Sequence, residues 1–303
     1  MKRPIGTPQR TKAVRKEQNF TFNKGLGQHF LVAPRILRTI VDAAKLDDGT
    51  GVLEVGPGFG ALTEALAERA VRVVAVEVDR RLIPILAEQL APYPNVTVIH
   101  ADILACDLGR MAEHFAGLTC WKVVANLPYY ITTPILIKFL EFASFSVTMK
   151  ENEQPLAFPP LTEMILMMQK EVAERLSAAP GGKAYGSLSV FAQYHARIEP
   201  VCDVPKSAFV PPPNVMSQVV RLTLRERPPV EVANPDWFFQ VVRAAFAQRR
   251  KTLLNNLHRF LPHVAKEELA QILHEIGADP ARRAETLSLQ EFAALSRRLE
   301  TIR

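Results

Sequence analysis

The stretch Val52-Leu53-Glu54-Val55-Gly56-Pro57-Gly58-Phe59-Gly60 decides the fold. A mostly apolar run precedes three glycines at alternate positions, and apolar residues then recur at helical spacing from Ala61 to Leu66. This order predicts a strand, a tight turn and a helix. Glycine lets a backbone approach a ligand closely, and the start of a helix offers unpaired N–H groups. The stretch therefore predicts a cofactor loop, although a turn without a ligand could use the same glycines.

Carboxylates follow the next two predicted strands. The apolar run of residues 71–76 ends in Glu77, which lies about 20 residues beyond Gly56, the usual distance of a ribose-binding acid. Asp102 follows a third apolar run, residues 96–101. A carboxylate there could accept a hydrogen bond from an adenine amine, but a loop acid or a helix cap remains an equal alternative. These spacings favour an adenosine-containing cofactor.

A second motif, Asn126-Leu127-Pro128-Tyr129, follows the run of residues 121–125. The side-chain carbonyl of Asn126 and the backbone carbonyl of Leu127 or Pro128 could accept the two hydrogens of an exocyclic amine, and Tyr129 could stack on the base. Alone, such a string is more often an ordinary turn. Together with the cofactor loop it indicates chemistry on a base amine, whereas Tyr130 is interpreted as structural.

The chain resembles a known family at both motifs and at several further blocks. The spacing Gly-x-Gly-x-Gly resembles that of S-adenosylmethionine-dependent methyltransferases of Rossmann-like fold rather than the longer dinucleotide pattern. With the second motif, the chain resembles the ribosomal RNA adenine dimethyltransferases, and among them the bacterial small-subunit enzymes, over about residues 23–257. The blocks that carry this resemblance are Gly27-Gln28-His29-Phe30-Leu31, the Gly56 loop, Glu77-Val78-Asp79, Asp102, Asn126-Leu127-Pro128-Tyr129, Gln169-Lys170-Glu171-Val172, Lys183-Ala184-Tyr185-Gly186, Phe209-Val210-Pro211-Pro212-Pro213 and Gln248-Arg249-Arg250-Lys251-Thr252.

The resemblance implies an α/β fold, a Rossmann-like sheet that is mostly parallel with an antiparallel last strand, and a small C-terminal all-helical domain. It implies S-adenosyl-L-methionine as cofactor and dimethylation of two adjacent adenosines in the hairpin loop near the 3′ end of small-subunit (16S) rRNA, in the 30S precursor during ribosome biogenesis. Phe209 would close the second face of the base opposite Tyr129. The implied cofactor contacts are His29, Leu31, Gly56, Gly58, Glu77, Asp102 and Asn126. His29 stands where the family usually has Asn, which leaves open whether its backbone or its side chain matters.

Basic residues are unevenly distributed in the chain, whose formal net charge is +6. Residues 1–24 hold seven lysines and arginines against the single acid Glu17, which predicts a flexible arm that is either a solvated tail or attracts phosphate. A second basic group lies on a helix predicted over residues 237–260, and within it we expect Arg249, Arg250 and Lys251 to contact RNA.

Strand and helix signals alternate along most of the chain, which predicts a parallel sheet. Residues 196–204 and 218–224 are predicted as its last pair of strands and residues 225–235 as a linker. Helices are predicted at residues 34–44, 237–260, 266–276 and 289–302. The predicted organisation is a basic arm at 1–24, a catalytic domain at 25–227 and a helical domain at 228–303. Residues 147–160 are interpreted as a surface insertion.

Composition excludes several classes of protein. Three cysteines without metal-ligand spacing argue against a disulfide scaffold or a zinc site, and no run reaches the length of a membrane helix. We expect a cytoplasmic monomer that binds no metal. Two alternatives stay open: an adenine N6-methyltransferase acting on large-subunit rRNA, of the antibiotic-resistance type, and a ribosome-assembly or transcription RNA-binding factor whose methylation is secondary. A nicotinamide oxidoreductase is a distant third.

Overall fold

The computed structural model describes residues 4–151 and 158–303. Residues 152–157 of the predicted insertion at residues 147–160 therefore lie outside the described residues. The chain forms two compact units. The first comprises Met1–Ala173 and Ala196–Leu224, and the second comprises Glu174–His195 and Arg225–Arg303. This division differs from the predicted boundary at residue 228, because the chain leaves the first unit, returns to it and leaves again.

The first unit is built on strands that follow one another along the chain. Their bounds are β1 Phe30–Leu31, β2 Thr50–Val55, β3 Arg72–Glu77, β4 Val96–His100, β5 Cys120–Asn126, β6 Leu161–Gln169, β7 Ala196–Val204, β8 Phe209–Val210 and β9 Ser217–Leu224. Within the described residues, seven of these strands form one sheet in the order β4-β3-β2-β5-β6-β9-β7. β9 runs antiparallel to both of its neighbours, whereas β4, β3, β2, β5 and β6 are parallel. The expected Rossmann-like sheet with a reversed last strand is confirmed.

Strand order reverses between β2 and β5, which lie side by side although they are not consecutive in the chain. In open α/β sheets, ligands bind at such a reversal, beyond the carboxyl ends of the strands. All six residues of β2 are buried, as expected for a central strand that is covered on both faces. The sheet therefore brings the ends of β2, β3 and β5 together at one edge.

Helices cover the sheet of the first unit. Their bounds are α1 Pro8–Glu17, α2 Pro34–Ala44, α3 Ala61–Ala67, α4 Ile83–Leu90, α5 Leu108–Glu113 and α6 Thr132–Glu151, and α7 Lys170–Ser177 leads into the second unit. α2 packs Leu37, Ile40 and Val41 into the same apolar cluster as Val52 of β2. None of the described helices is long and apolar enough to cross a membrane.

The N-terminal segment is ordered, so the prediction of a flexible arm is wrong for its described part. Thr7 accepts a hydrogen bond from the Arg10 N–H, and Pro8 occupies the first turn of α1. Thr11 and Val14 are 2% and 0% exposed, because apolar burial outweighs the charge repulsion that suggested a tail. Residues 1–3 lie outside the described residues.

The second unit is helical, as predicted, but its elements differ from the predicted ones. It contains α8 Ser187–His195, which the sequence did not predict, followed by α9 Pro235–Ala245, α10 Leu253–Phe260, α11 Lys266–Glu275 and α12 Leu289–Glu300. The helix predicted over residues 237–260 is two helices. The hydroxyl of Thr252 caps the start of α10. The amide of Asn256 donates to the carbonyl of Ala245, the last residue of α9, at 2.7 Å, so this carbonyl keeps a hydrogen bond although α9 ends there.

Candidate active site

A cleft opens at the edge of the sheet where β2, β3 and β5 end. Side chains and backbone from the loops that follow these strands line it, together with residues 26–31. The predicted residues that the structure brings together in this cleft are His29, Leu31, Gly56, Gly58, Glu77, Asp102, Asn126, Leu127, Pro128 and Tyr129. Strand topology thus gathers residues that are about a hundred positions apart in the sequence.

The glycine loop needs glycine for its conformation. Gly56, Gly58 and Gly60 have φ angles of 70°, 60° and 88°, which lie in the left-handed region. A Cβ at Gly58 would also lie 2.6 Å from Cδ1 of Phe30. The Phe30 ring therefore occupies the place of a side chain at Gly58, whereas a Cβ at Gly56 would meet no atom closer than 3.9 Å.

Glu77 ends β3 with its carboxylate held in place. One oxygen accepts the Asp79 N–H at 2.8 Å and the other accepts the Gly58 N–H at 3.3 Å. Burial raises the pKa of Glu77 to about 7, although these N–H groups favour the charged form. The carboxylate is thus fixed to the glycine loop at the cleft.

Asp102 follows β4 and is exposed at the cleft. Its Oδ1 accepts the Leu104 N–H at 2.9 Å. One oxygen of Asp102 therefore stabilises its own loop, which is the alternative role that the sequence left open. The apolar residues Val78 and Ile103 line the same cleft.

Glu54 is a buried acid that lines the same cleft. It is 1% exposed, and its Oε2 has no hydrogen-bond partner among the described residues. Burial, with a smaller contribution from Glu77, raises its pKa to about 8. A buried carboxyl oxygen without a partner is costly, and a polar group of a ligand in the cleft would remove that cost.

We predict that the contribution of Glu54 and Glu77 to the free energy of unfolding of the cofactor-free protein falls as pH rises from about 4.5 to about 8. The fall should be clearest above about pH 6.5, because the buried His195, whose pKa is lowered to about 4, opposes it only below that pH. The folded protein holds protons on Glu54 and Glu77 more tightly than the unfolded chain does, so their stabilising contribution is complete below the unfolded pKa and is lost as pH passes the raised values. Urea unfolding across this range measures the slope, at most about 1.4 kcal/mol per pH unit for each group. Glu54→Gln should flatten it. The exposed-site control Glu113→Gln should not, and equal slopes in the two variants would contradict the assignment.

Asn126 is held by the backbone of His29. Its amide nitrogen donates to the backbone carbonyl of His29 at 3.2 Å, which leaves the side-chain oxygen as an acceptor at the cleft. The His29 ring instead lies near Tyr129, with centroids 5.6 Å apart, and its Nδ1 donates to the carbonyl of Pro211 at 2.8 Å. Position 29 therefore contacts Asn126 through its backbone carbonyl. This contact does not depend on whether the side chain at position 29 is Asn or His.

The rest of the second motif forms a tight turn. Leu127 donates its N–H to Met167 of β6, and the carbonyl of Pro128 accepts the hydroxyl of Thr132 at 2.9 Å and the N–H of Ile131 at 3.3 Å. The Tyr129 hydroxyl lies 2.6 Å from Oγ of Ser217. Because the Pro128 carbonyl already has two donors, the carbonyl of Leu127 is the better second acceptor for a ligand.

Phe209 does not line the cleft. Its ring is 2% exposed and belongs to an apolar cluster with Leu31, its pairing partner between β8 and β1. The structure therefore places Phe209 in the core, and the predicted second face of the base is not formed by its ring here.

The predicted RNA-binding residues Arg249, Arg250 and Lys251 lie in the turn between α9 and α10, not on a helix, and are exposed. Arg249 donates to the carbonyl of Lys183 at 2.6 Å and lies 3.6 Å from a carboxylate oxygen of Glu285. These contacts hold one arginine of the turn, while the helix break exposes the whole basic sequence.

Sequence reasoning missed several residues of the site. Gln28 donates to Asp79 at 2.8 Å and accepts the Asn23 N–H at 2.8 Å, which ties residues 23–28 to the end of β3. Tyr130, interpreted as structural, is 52% exposed and lines the cleft. Gln28 and Asp79 lie in the blocks that carry the family resemblance, which was the available signal. Within residues 4–151 and 158–303, no group of three or more His, Cys, Asp or Glu side chains could hold a metal ion.

Comparison with known proteins agrees with this geometry. Two curated relatives are both named ribosomal RNA small subunit methyltransferase A. The one from Geobacillus sp. strain WCH70 is 50% identical to this chain, and the match covers 100% of both chains. The one from Geobacillus thermodenitrificans strain NG80-2 is 52% identical, and the match covers 99% of this chain and 98% of the relative. Among solved structures, a dimethyladenosine transferase from Plasmodium falciparum is 26% identical with a TM-score of 0.67, covering 90% of this chain and 98% of that one. The 23S rRNA methyltransferase ErmE is 25% identical with a TM-score of 0.65, covering 89% and 99%. Residues 19–295 match the model of one family, and the chain belongs to that family, ribosomal RNA adenine dimethylase.

Proposed function

We propose that this chain is an S-adenosylmethionine-dependent enzyme that dimethylates N6 of two adjacent adenosines in the hairpin loop near the 3′ end of small-subunit rRNA. The observation that carries the proposal is the orientation of Asn126. Its amide is fixed on the His29 carbonyl, so its oxygen is presented to the cleft beside the glycine loop. Identity of 50% over the whole chain with a small-subunit methyltransferase supports the choice of RNA.

The cleft fits S-adenosylmethionine. Beside Gly56 the cleft has free space, since a Cβ there would meet no atom closer than 3.9 Å. Glu77 offers a carboxylate for ribose hydroxyls, and Asp102 offers one for the adenine amine. A polar group of the bound cofactor would satisfy the buried oxygen of Glu54, which has no partner among the described residues. When bound, the cofactor supplies an activated methyl group on a cationic sulfur.

The protein's task is mainly to orient the base. The lone pair of adenine N6 is delocalised into the ring, and an amine held by two acceptors can turn that pair toward the methyl group. The Asn126 side-chain oxygen and the Leu127 carbonyl supply these acceptors and stabilise the positive charge that develops on nitrogen. Tyr129 stacks on the base, its ring oriented by Ser217. Since Asn126 cannot act as a base, catalysis here depends on position and electrostatics.

RNA must deliver the adenosine unstacked, because the pocket receives a single flat base. We propose that the exposed turn with Arg249, Arg250 and Lys251 binds RNA phosphates, and that the enzyme works as a monomer in the cytoplasm on the 30S precursor. The alternative of a large-subunit target has the support of ErmE at 25% identity, which is weaker than that of the small-subunit relatives.

Mapping methylated adenosines by mass spectrometry tests the proposal. The enzyme is incubated with S-adenosylmethionine and, separately, with unmethylated small subunits, naked small-subunit rRNA and large-subunit rRNA. We expect dimethylation at two adjacent adenosines of small-subunit rRNA. Methylation confined to large-subunit rRNA would overturn the choice of RNA, and the absence of adenine N6 methylation in every sample would overturn the proposed chemistry.

A further inference from the structure

Helix α1 has one apolar face that is built into the first unit. Val14 and the preceding Ile5 are buried in an apolar cluster with Phe20, Phe30 and Phe59. Phe30 and Phe59 stack with centroids 4.3 Å apart, and both line the cleft. Thr11 of α1 lines the cleft as well. The inner face of α1 is thus part of the wall of the candidate active site.

Specific contacts fix this helix in place. The Ile5 N–H donates to a carboxylate oxygen of Glu64 on α3 at 2.7 Å, and the Arg10 guanidinium donates to Gln89 on α4 at 2.7 Å. A Cβ at Gly6 would lie 2.2 Å from Leu37 Cδ1 of α2, so the segment packs closely there. Charges on the opposite side of α1 are therefore held at a defined distance from the cleft.

That opposite side carries three cations. We call Lys12, Arg15 and Lys16 the outer face of α1. All three are exposed, and among the described residues none of them pairs with a carboxylate. The acids nearby are engaged elsewhere: Glu17 lies 3.8 Å from Arg10, and Glu88 accepts a hydrogen bond from Gln18 at 3.1 Å. The outer face therefore keeps an uncompensated positive charge.

Aromatic rings orient part of this charge. The Arg15 guanidinium lies over the ring of Phe22, 4.7 Å from its centroid, and Phe22 lies against Phe20 at 6.2 Å. The guanidinium of Arg81 lies over the ring of Phe20. It forms an ion pair with the carboxylate of Asp79, with nitrogen and oxygen 2.6 Å apart, so Arg81 adds no net charge to this group of rings. A guanidinium that contacts a ring in this way keeps N–H groups available for an anion, and its planar fork suits phosphate.

We propose that the outer face of α1 binds the phosphate backbone of the RNA strand that carries the target adenosine. The proposal rests on the proposed function, since it assigns a docking surface for that RNA. Lys12 and Lys16 are four residues apart and so lie on one side of the helix, with Arg15 adjacent. Such a row of unpaired cations, about one helix diameter from the cleft wall, neutralises successive phosphates and releases their counterions, which makes binding depend on salt.

Salt-dependent RNA binding tests this surface. The variant Lys12→Gln/Lys16→Gln is compared with the matched control Lys45→Gln/Arg69→Gln, whose exposed cations lie in loops that enter strands at the opposite edge of the sheet. With unmethylated small-subunit rRNA as the probe, we expect the test variant to bind about tenfold more weakly at moderate salt. Its slope of log affinity against log salt should be smaller by about 2. Lys12→Arg/Lys16→Arg should restore both quantities.

The outcomes separate this inference from the proposed function. If the test and control variants have equal affinities and equal slopes, the outer face of α1 does not bind RNA, whereas methylation of small-subunit rRNA by the unaltered enzyme would leave the proposed function intact. Binding of S-adenosylmethionine should be unchanged in the test variant. A matching loss of cofactor affinity would instead show that the changes disturb the cleft wall, and would overturn the phosphate assignment.

Discussion

Asn126→Ala is expected to slow methyl transfer by about a hundredfold to a thousandfold, the usual effect of removing one preorganised hydrogen-bonding group. The change removes both the acceptor oxygen and the amide that donates to the His29 carbonyl at 3.2 Å. RNA binding should be retained, because Asn126 does not contribute charge to it. Single-turnover transfer of a labelled methyl group, measured beside RNA affinity, checks both expectations.

Two further variants sharpen the test of Asn126. Asn126→Asp keeps an acceptor but directs a second oxygen at the His29 carbonyl, so we expect transfer to stay slow. Asn95 is a matched control, because its amide also donates to backbone carbonyls, those of Ala67 and Ala70, each at 2.9 Å, but outside the cleft. Asn95→Ala should lower stability and leave the transfer rate unchanged. Wild-type transfer by Asn126→Ala would refute the orienting role of Asn126.

Gly58→Ala is expected to reduce affinity for S-adenosylmethionine at least tenfold, or about 1.4 kcal/mol. Alanine at a φ of 60° is strained, and its Cβ would lie 2.6 Å from Phe30 Cδ1, so the loop or the ring must move. The free energy of unfolding should fall by about 1 to 3 kcal/mol. Calorimetric titration with the cofactor and urea unfolding measure the two effects.

Gly117→Ala is the matched control for the loop. Gly117 also has a left-handed φ, 83°, but a Cβ added there would meet no atom within 4 Å, and the residue is outside the cleft. We expect a loss of stability from backbone strain and no change in cofactor affinity. Equal losses of affinity in the two variants would mean that destabilisation, not the shape of the glycine loop, controls binding.

Local signals predicted much of the fold. The helix predicted from Pro34 to Ala44 has those bounds in the structure, because proline starts it and Leu37, Ile40 and Val41 recur on one buried face. Ligands of parallel sheets bind beyond the carboxyl ends of the strands, and this rule likewise predicts that Glu77, Asp102 and Asn126 lie at one cleft, as they do. Both kinds of prediction succeed because they depend on neighbours in sequence or on the direction of strands.

Features that depend on distant contacts were not predictable in this way. Leu31 pairs with Phe209, far along the chain, and that pairing puts the Phe209 ring in the core. Asn126 and His29 meet across 97 positions. For α1 the local signal existed, since Thr7 and Pro8 form a helix start, but the density of positive charge suggested a solvated tail. Residues 246–252 contain no proline or glycine that would mark a break, so one helix was predicted where two form.

The interleaving of the two units has a consequence for engineering the enzyme. Tyr185, Val190 and Tyr194, from the segment Glu174–His195, share a hydrophobic core with Phe238 and Phe292 of the later segment. A chimera that exchanges only residues 225–303 with those of a relative would pack the new residues against the original segment Glu174–His195, so the two parts of this hydrophobic core would come from different proteins. Swapping the helical unit between homologues therefore requires two exchanged segments and three crossover points, at residues 173/174, 195/196 and 224/225.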